Sequence, residues 1–270
     1  MTNSALNFLA ILFYLALAAL LWRRLARGEA PTLQHRARSL SIGLAAVTLH
    51  AIVLYGGPPS AGGINLSLTG AVTLVAWLVA SLYLLVSLWR PIDNLGVLIT
   101  PLAALTLLLD WLRPLSAPVA LTSQLQALHI LVALVAYSLL CLAAVQSIML
   151  LAQDRQLKQK HPGGFLRALP PMQTMETIMF QMIALGFVLL TVTLVSGAVF
   201  AEQVFGTPFR LTHHVVLAAL AWVVYGVLLV GRWRFGWRGR TAIRWTLGGF
   251  ALLLLGYFGS KFVLEVVLHR

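Results

Sequence analysis

The run LQALHILVALVAYSLLCLAAVQSIMLL, residues Leu125–Leu151, decides how the whole chain is interpreted. It holds 27 residues without a single Asp, Glu, Lys or Arg. A helix needs roughly 20 predominantly apolar residues to cross about 30 Å of hydrocarbon, so the run is long enough to span a membrane. We therefore predict a transmembrane helix here, with one polar ring, His129, near its beginning.

Seven further segments repeat this pattern, and composition agrees with them. Hydrophobic residues make up 60% of the chain and charged residues 10%, whereas soluble domains average about half and a quarter. We predict an all-α, polytopic membrane protein that forms a single bundle of eight transmembrane helices. No linker separates a second folded unit, so residues 1–270 are expected to form one domain. The predicted spans are Leu6–Trp22, Leu40–Tyr55, Leu68–Trp89, Leu95–Leu112, Leu125–Leu151, Ile178–Phe200, Leu211–Val230 and Ile243–Leu268.

The chain has a net charge of +12, and its basic residues follow a pattern that indicates membrane topology. Fifteen of the 19 Lys and Arg residues follow the first, third, fifth and seventh spans. Basic residues in short loops mark the cytoplasmic side of a membrane, so both termini are predicted to be periplasmic. This distribution also argues against a nucleic-acid partner, which would favour one basic face. The fifteen residues are Arg23, Arg24, Arg27, Arg36, Arg38, Arg90, Arg155, Lys158, Lys160, Arg167, Arg232, Arg234, Arg238, Arg240 and Arg244.

Histidines occur at one predicted edge of the membrane. His50 is about six residues from the outer end of the second span, or roughly 9 Å along the helix. His129 lies at a similar distance inside the fifth span, and His213 and His214 open the seventh. Because these spans all have this end on the outer side, we expect one outer layer of imidazoles.

An ionisable side chain inside a membrane is a candidate for function, although a histidine can also simply hydrogen-bond across helices. Neutral imidazole binds Zn, Cu, Fe and Ni alike, and it is a standard axial ligand of haem iron. No HExxH or similar spacing supports a hydrolytic zinc site. The only cysteine, Cys141, excludes an internal disulfide and a CxxCH haem attachment site. We find no catalytic constellation and do not expect an enzyme.

Several motifs resemble the cytochrome c assembly family of haem-handling membrane proteins, which includes HemX-like and CcsA-like members. The closest similarity is to the YpjD-like inner-membrane subgroup, and it covers nearly the whole chain. The GWRGR and YFGS blocks are its most specific parts. The motifs are LHA at Leu49–Ala51, LH before AYSLL at Ala136–Leu140, LPPM at Leu169–Met172, WVVYGVLL at Trp222–Leu229, GWRGR at Gly236–Arg240 and YFGSKFVLE at Tyr257–Glu265.

The resemblance implies a multi-pass protein of the bacterial inner membrane that handles haem on its periplasmic side. It implies His50, His129 and His213 as iron ligands of a non-covalent, b-type haem, with His214 as the neighbouring alternative. Family members that deliver haem to apocytochrome c carry a tryptophan-rich outer loop before this helix. Here the corresponding stretch is only FGTPFR, Phe205–Arg210, so haem association is implied more strongly than covalent cytochrome c maturation.

The leading hypothesis is therefore a haem-binding membrane protein that transports, chaperones or regulates haem. A second hypothesis is a cofactor-free scaffold or regulator that acts on a membrane or cytoplasmic protein partner through its basic cytoplasmic loops. A small-solute transporter is a weaker third reading, because charged residues lie at the span edges and Pro101 is the only obvious breaker in mid-span.

Overall fold

The computed structural model describes residues 2–29, 32–56, 63–65, 67–90, 92–112, 118–120, 123–158, 169–202 and 211–262. These residues contain eight helices that are long and apolar enough to cross a membrane, which confirms the prediction of a polytopic helical protein. The placement of both termini and the single-domain organisation stay predictions. The helices are α1 (Thr2–Arg27), α2 (Leu33–Tyr55), α3 (Leu68–Ser87), α4 (Asp93–Leu112), α5 (Gln124–Lys158), α6 (Met172–Val199), α7 (His213–Phe235) and α8 (Gly239–Leu254).

Several helices run beyond their apolar segments. Helix α5 was expected to end at Leu151 but continues to Lys158, where Lys158 pairs with Asp154 at 3.0 Å. Helix α1 likewise continues to Arg27. Hydropathy marks the part of a helix that suits hydrocarbon, whereas backbone hydrogen bonding continues through the polar flank. The predicted span ends were therefore too short at these sites.

Two short strands were not predicted. β1 (Gly63–Asn65) pairs antiparallel with β2 (Pro118–Ala120), and the register places Gly63 opposite Ala120. Each strand has only three residues, too few for a hydrophobic alternation to show in the sequence. The protein is thus helical apart from this small ribbon in the described part of the chain.

The chain divides into two compact units. Unit 1 comprises residues 1–61, 69–115 and 148–175, and unit 2 comprises residues 62–68, 116–147 and 176–270. In unit 1, α1 packs against α2 and α4. Gly96 of α4 permits close packing, because a Cβ there would overlap the Tyr83 ring and Leu21. The phenol side chain of Tyr14 is fully buried in this core.

Unit 2 is joined by polar contacts between apolar helices. Trp222 of α7 donates its indole N–H to the Thr191 hydroxyl of α6 at 2.8 Å, and its ring stacks on Phe187. The buried Tyr225 hydroxyl donates to the carbonyl of Thr246 in α8 at 3.3 Å. Each of these side chains carries a polar group that must find a partner away from water.

The turn between α7 and α8 uses the GWRGR block. Gly236 ends α7 in the left-handed region with φ 65°, a conformation that glycine adopts without steric cost. The backbone N–H of Gly239 donates to a Glu176 carboxylate oxygen of α6 at 2.7 Å. The same carboxylate lies 3.9 Å from Arg232, whose guanidinium also covers the Phe180 ring. The block thus anchors the turn to the start of α6.

The last span contains a change of helix type. After α8 the chain forms a π-helical turn, Leu255–Gly259, followed by α9 (Ser260–Phe262). The Ser260 hydroxyl donates to the Gly256 carbonyl at 2.6 Å. The YFGS block therefore coincides with an irregular part of the helix. The last residues of the YFGSKFVLE motif lie outside the described residues, as does Phe205–Arg210.

Candidate functional site

His50 is the most completely buried of the candidate residues. It lies on α2 in unit 1 and is 0% exposed. The hydroxyl of Tyr14, on α1, is 3.1 Å from its Nδ1 atom, and the two rings meet edge to face. Its Nε2 atom is buried and has no hydrogen-bond partner among the described residues. The imidazole therefore has a hydrogen-bond partner at Nδ1 and none at Nε2 among the described residues.

This arrangement has a free-energy cost unless another group satisfies Nε2. Leaving a buried polar atom without a partner costs about 1–3 kcal/mol. When the Tyr14 oxygen accepts the Nδ1 proton, Nε2 carries a lone pair and can coordinate a metal. Metal-binding histidines commonly donate their other ring N–H to a neighbouring oxygen in this way. The donor set at His50 fits a metal centre that takes neutral imidazole.

His129 has a more narrowly defined protonation pattern. It lies on α5 in unit 2, is half-buried, and its Nδ1 atom is 2.8 Å from the Ser196 hydroxyl of α6. Ser196 in turn donates its single hydroxyl proton to the carbonyl of Thr193 at 3.1 Å. When the serine proton is used in this way, its oxygen accepts from the His129 Nδ1–H. In that tautomer the lone pair is on Nε2, the form that ligates iron.

A glycine sets the distance between this imidazole and α6. A Cβ added at Gly197 would lie 3.3 Å from Cε1 of His129 and 4.0 Å from Nε2. The ring thus packs directly over the backbone of the residue after Ser196. Helix α6 both holds the imidazole and leaves space for it.

His213 and His214 open α7 in unit 2, and both are exposed. Their rings lie 6.1 Å apart in an edge-to-face arrangement. The Thr212 hydroxyl is 3.1 Å from Nδ1 of His214. The backbone of His214 is approached by Gly256 of the π-helical turn, where a Cβ would lie 3.6 Å from the His214 carbonyl oxygen.

The four predicted residues are thus divided between the two units. His213 and His214 are neighbours, His129 belongs to the same unit, and His50 belongs to the other. Within the part of the chain that the structure describes, no three His, Cys, Asp or Glu side chains are grouped to hold a metal ion. Haem iron takes at most two protein ligands, so haem does not require such a group. The ligand assignments of His50, His129 and His213 stay predictions.

Sequence reasoning missed the two hydroxyl partners. The ring of Tyr55, at the end of the helix that holds His50, contacts Trp77, and Tyr14 of α1 orients His50. Ser196 of α6 is the hydroxyl partner of His129. Both carry a hydroxyl within an apolar span, a signal that a buried polar group needs a partner. The sequence does not state which partner that is.

Comparison with known proteins gives consistent matches. A family model described as "Cytochrome C assembly protein" matches residues 5–268. The inner membrane protein YpjD of Escherichia coli (strain K12) is 32% identical over 227 residues, which cover 82% of each chain. Protein HemX of Brevibacillus brevis is 28% identical over 68% of this chain and 69% of its own length. The cytochrome c biogenesis protein CcsA of Synechococcus sp. (strain CC9605) is 28% identical over 56% of each chain.

Proposed function

Because the chain belongs to the cytochrome c assembly protein family, we propose that it binds haem non-covalently and takes part in transporting, chaperoning or regulating haem. It is a multi-pass protein of the bacterial inner membrane. The family match confirms the resemblance read from the sequence motifs. Its relatives include a protein named for cytochrome c biogenesis, which supports a haem-related role.

The open Nε2 atom of the buried His50 carries this proposal. The fully buried imidazole has a partner at Nδ1 but, among the residues that the structure describes, none at Nε2, which is costly unless that atom serves as a ligand. His50 would hold haem through this nitrogen, because haem iron accepts neutral imidazole as a ligand. Tyr14 would orient His50 for that purpose, acting through the ring rather than on the iron.

His129 is the second proposed ligand. When Ser196 donates to Thr193, its oxygen accepts from Nδ1–H of His129, and in that tautomer Nε2 would coordinate iron. His213 and His214 are accessible at the start of α7. Only two imidazoles would hold one iron, so His213, with His214 as its alternative, is a further candidate for either of the two ligands. In this proposal the hydroxyl groups would orient the imidazoles, and the imidazoles would hold the iron.

A haem titration of the purified protein tests the proposal. We expect haem-depleted protein in detergent to give a Soret band with added haem, and acid acetone to extract that haem. His50→Ala should weaken binding by about tenfold or more, since loss of about 1.4 kcal/mol lowers affinity tenfold. Individual alanine variants of His129, His213 and His214 identify the remaining ligand.

His35→Ala is the matched control. It lies on the same helix, 15 residues or about 22 Å from His50, and should leave the titration unchanged. A wild-type protein that fails to bind haem would refute the proposal. A Soret band unaltered in all four alanine variants would refute the ligands.

A cofactor-free scaffold is the second candidate, and the α7–α8 turn favours it. This turn is tied to α6 through Glu176, and it exposes Arg234, Arg238 and Arg240. An ordered basic surface suits an acidic protein partner. Replacing Arg234 and Arg238 with Gln should weaken partner cross-linking in membranes while haem absorbance is unchanged. If this variant lost both partner cross-linking and haem absorbance, the result would contradict a separate scaffold role.

A further inference from the structure

Unit 1 contains a cavity that the haem proposal does not use. Its volume is about 370 Å³, within the range of small-molecule pockets. Leu21 and Leu25 of α1 form apolar parts of its wall, and Trp89 contributes an aromatic ring. Its polar lining consists of Arg24, Glu29, Arg36, Arg90, Asp93 and Asn94.

The cavity carries excess positive charge. Asp93 pairs with Arg24 at 3.3 Å, and Glu29 pairs with Arg27 at 3.5 Å, so both acids are already neutralised. Arg36 donates only to backbone carbonyls, that of Ser87 at 2.9 Å and that of Leu88. Among the described residues, neither Arg36 nor Arg90 forms an ion pair. Two guanidinium charges are thus available to an anion.

Asn94 points to a specific kind of ligand. The side chain is 1% exposed and lines the cavity, yet neither its Nδ2 nor its Oδ1 atom has a partner in the described structure. Its amide can donate two hydrogen bonds and accept others. A ligand that satisfies it offers both a hydrogen-bond acceptor and a donor, and a phosphate ester with a free hydroxyl has both.

The position of the cavity favours an anion as well. Asn94 is the second residue of α4, so the positive end of that helix dipole lies at the cavity wall. The lining arginines follow the first and third spans, where the charge pattern predicts the cytoplasmic edge. Basic pockets between transmembrane helices on that side suit anionic lipid headgroups.

We propose that this cavity binds a phosphate ester that carries a free hydroxyl, either the glycerol phosphate headgroup of an anionic lipid or a soluble glycerol phosphate. Arg36 and Arg90 neutralise the phosphate, since guanidinium groups suit its oxygens. Asn94 donates to a phosphate oxygen and accepts from the hydroxyl. Leu21 and Leu25 contact the apolar part of the ligand.

Binding to delipidated, purified protein tests this site with two probes. The soluble probe is glycerol 3-phosphate, measured by calorimetry. The lipid probe is phosphatidylglycerol in mixed micelles, compared with phosphatidylcholine, and is measured by native mass spectrometry. Binding of the soluble ester identifies a soluble ligand, and retention of phosphatidylglycerol alone identifies a lipid headgroup. Equal retention of both lipids with no binding of the ester would overturn the proposal.

Variants locate the site. Arg90 is exposed, so Arg90→Gln should fold normally and lower affinity about tenfold, as expected for one charge-assisted hydrogen bond. Asn94→Leu removes both amide groups at similar size and should have a comparable effect. Arg38→Gln is the charge-matched control, because Arg38 is exposed and outside the cavity lining. Wild-type affinity in both Arg90→Gln and Asn94→Leu would refute the site.

Discussion

His50 and His129 are held by the same kind of bond in different surroundings. Each imidazole has its Nδ1 atom beside a hydroxyl group of a neighbouring helix, Tyr14 for His50 and Ser196 for His129. His50 is 0% exposed, whereas His129 is half-buried. Ser196 also donates to a backbone carbonyl, but no second hydrogen bond commits the Tyr14 proton in the described structure.

The two histidines therefore differ in the free-energy cost of their ligand-free states. The buried His50 carries an unsatisfied Nε2, so the ligand-free state bears the cost of the site. His129 is only half-buried, so burial of its imidazole costs less in the ligand-free state. We therefore expect a ligand to gain more binding free energy from His50 than from His129. The contribution of His129 to binding should be less sensitive to changes in the residues around it.

The largest effect is expected when both polar groups of the buried pair are replaced by apolar ones. Tyr14→Phe/His50→Leu should abolish the contribution of His50 to haem binding, a loss of about tenfold or more. It should also stabilise the haem-free protein by about 1–3 kcal/mol, because no unpartnered atom remains. Thermal unfolding and haem titration measure the two effects. The parallel variant Ser196→Ala/His129→Leu should lose haem without this gain, and equal stabilisation of both would erase the contrast.

Tyr14→Phe alone should act in the opposite direction on stability. It leaves Nδ1 of His50 buried without a partner, so the haem-free protein should lose about 1–3 kcal/mol. Loss of an orienting partner typically lowers metal affinity about 10–100-fold. Tyr55→Phe is the control, because Tyr55 is exposed and its ring contact with Trp77 survives. Unchanged haem affinity in Tyr14→Phe would show that the phenol does not orient a ligand.

Ser196→Ala should have a smaller effect than Tyr14→Phe. His129 is half-buried, so other polar groups can replace the serine, and a lost hydrogen bond of about 0.5–1 kcal/mol corresponds to roughly two- to fivefold in affinity. Ser196→Thr keeps the hydroxyl and should restore binding. Haem titration of the two variants side by side measures this. A loss in Ser196→Ala as large as that in Tyr14→Phe would mean that burial does not distinguish the two sites.

Gly197→Ala should have the smallest effect. The added methyl group would lie 3.3 Å from Cε1 of His129, so the ring must shift by a few tenths of an ångström. Gly248→Ala is the matched control, because nothing lies within 4 Å of a Cβ at that helical position. Alanine stabilises a helix over glycine by about 0.5–1 kcal/mol, which Gly248→Ala should show and Gly197→Ala should largely lose. Thermal unfolding compares them, and equal gains would mean that the His129 ring is not tightly packed.

The helices could be predicted because length and apolarity measure the cost of placing each segment in hydrocarbon. Leu125–Leu151 could be identified as a membrane span without knowledge of the helices it contacts, and several family motifs lie within such segments. The histidines could be identified as unusual for the same reason. The sequence allowed several roles for these histidines, namely metal ligation, haem ligation or a hydrogen bond across helices. The ligand assignments remain predictions.

The contacts of the histidines could not be predicted, because they depend on which helix faces meet. Tyr14 and His50 are 36 residues apart, and Ser196 is 67 residues from His129. Hydropathy places each residue within its own span but does not pair the spans. The cavity arginines had been explained by topology alone, and only the structure shows that two acids nearby are already neutralised while Asn94 is not satisfied.

The π-helical turn at Leu255–Gly259 changes the angular register of the last span. Such a turn accommodates one residue more than an α-helical turn, so every side chain beyond it is rotated by about 100° relative to a regular continuation. Deleting one residue of this turn would let the helix run on as a regular α-helix and would leave Lys261 facing the same way, because the deletion removes the same step of about 100° that the turn adds. Tyr257 and Phe258 lie in the turn where such a deletion would be accommodated. The YFGS block therefore sets the rotation of one end of this membrane span relative to the other.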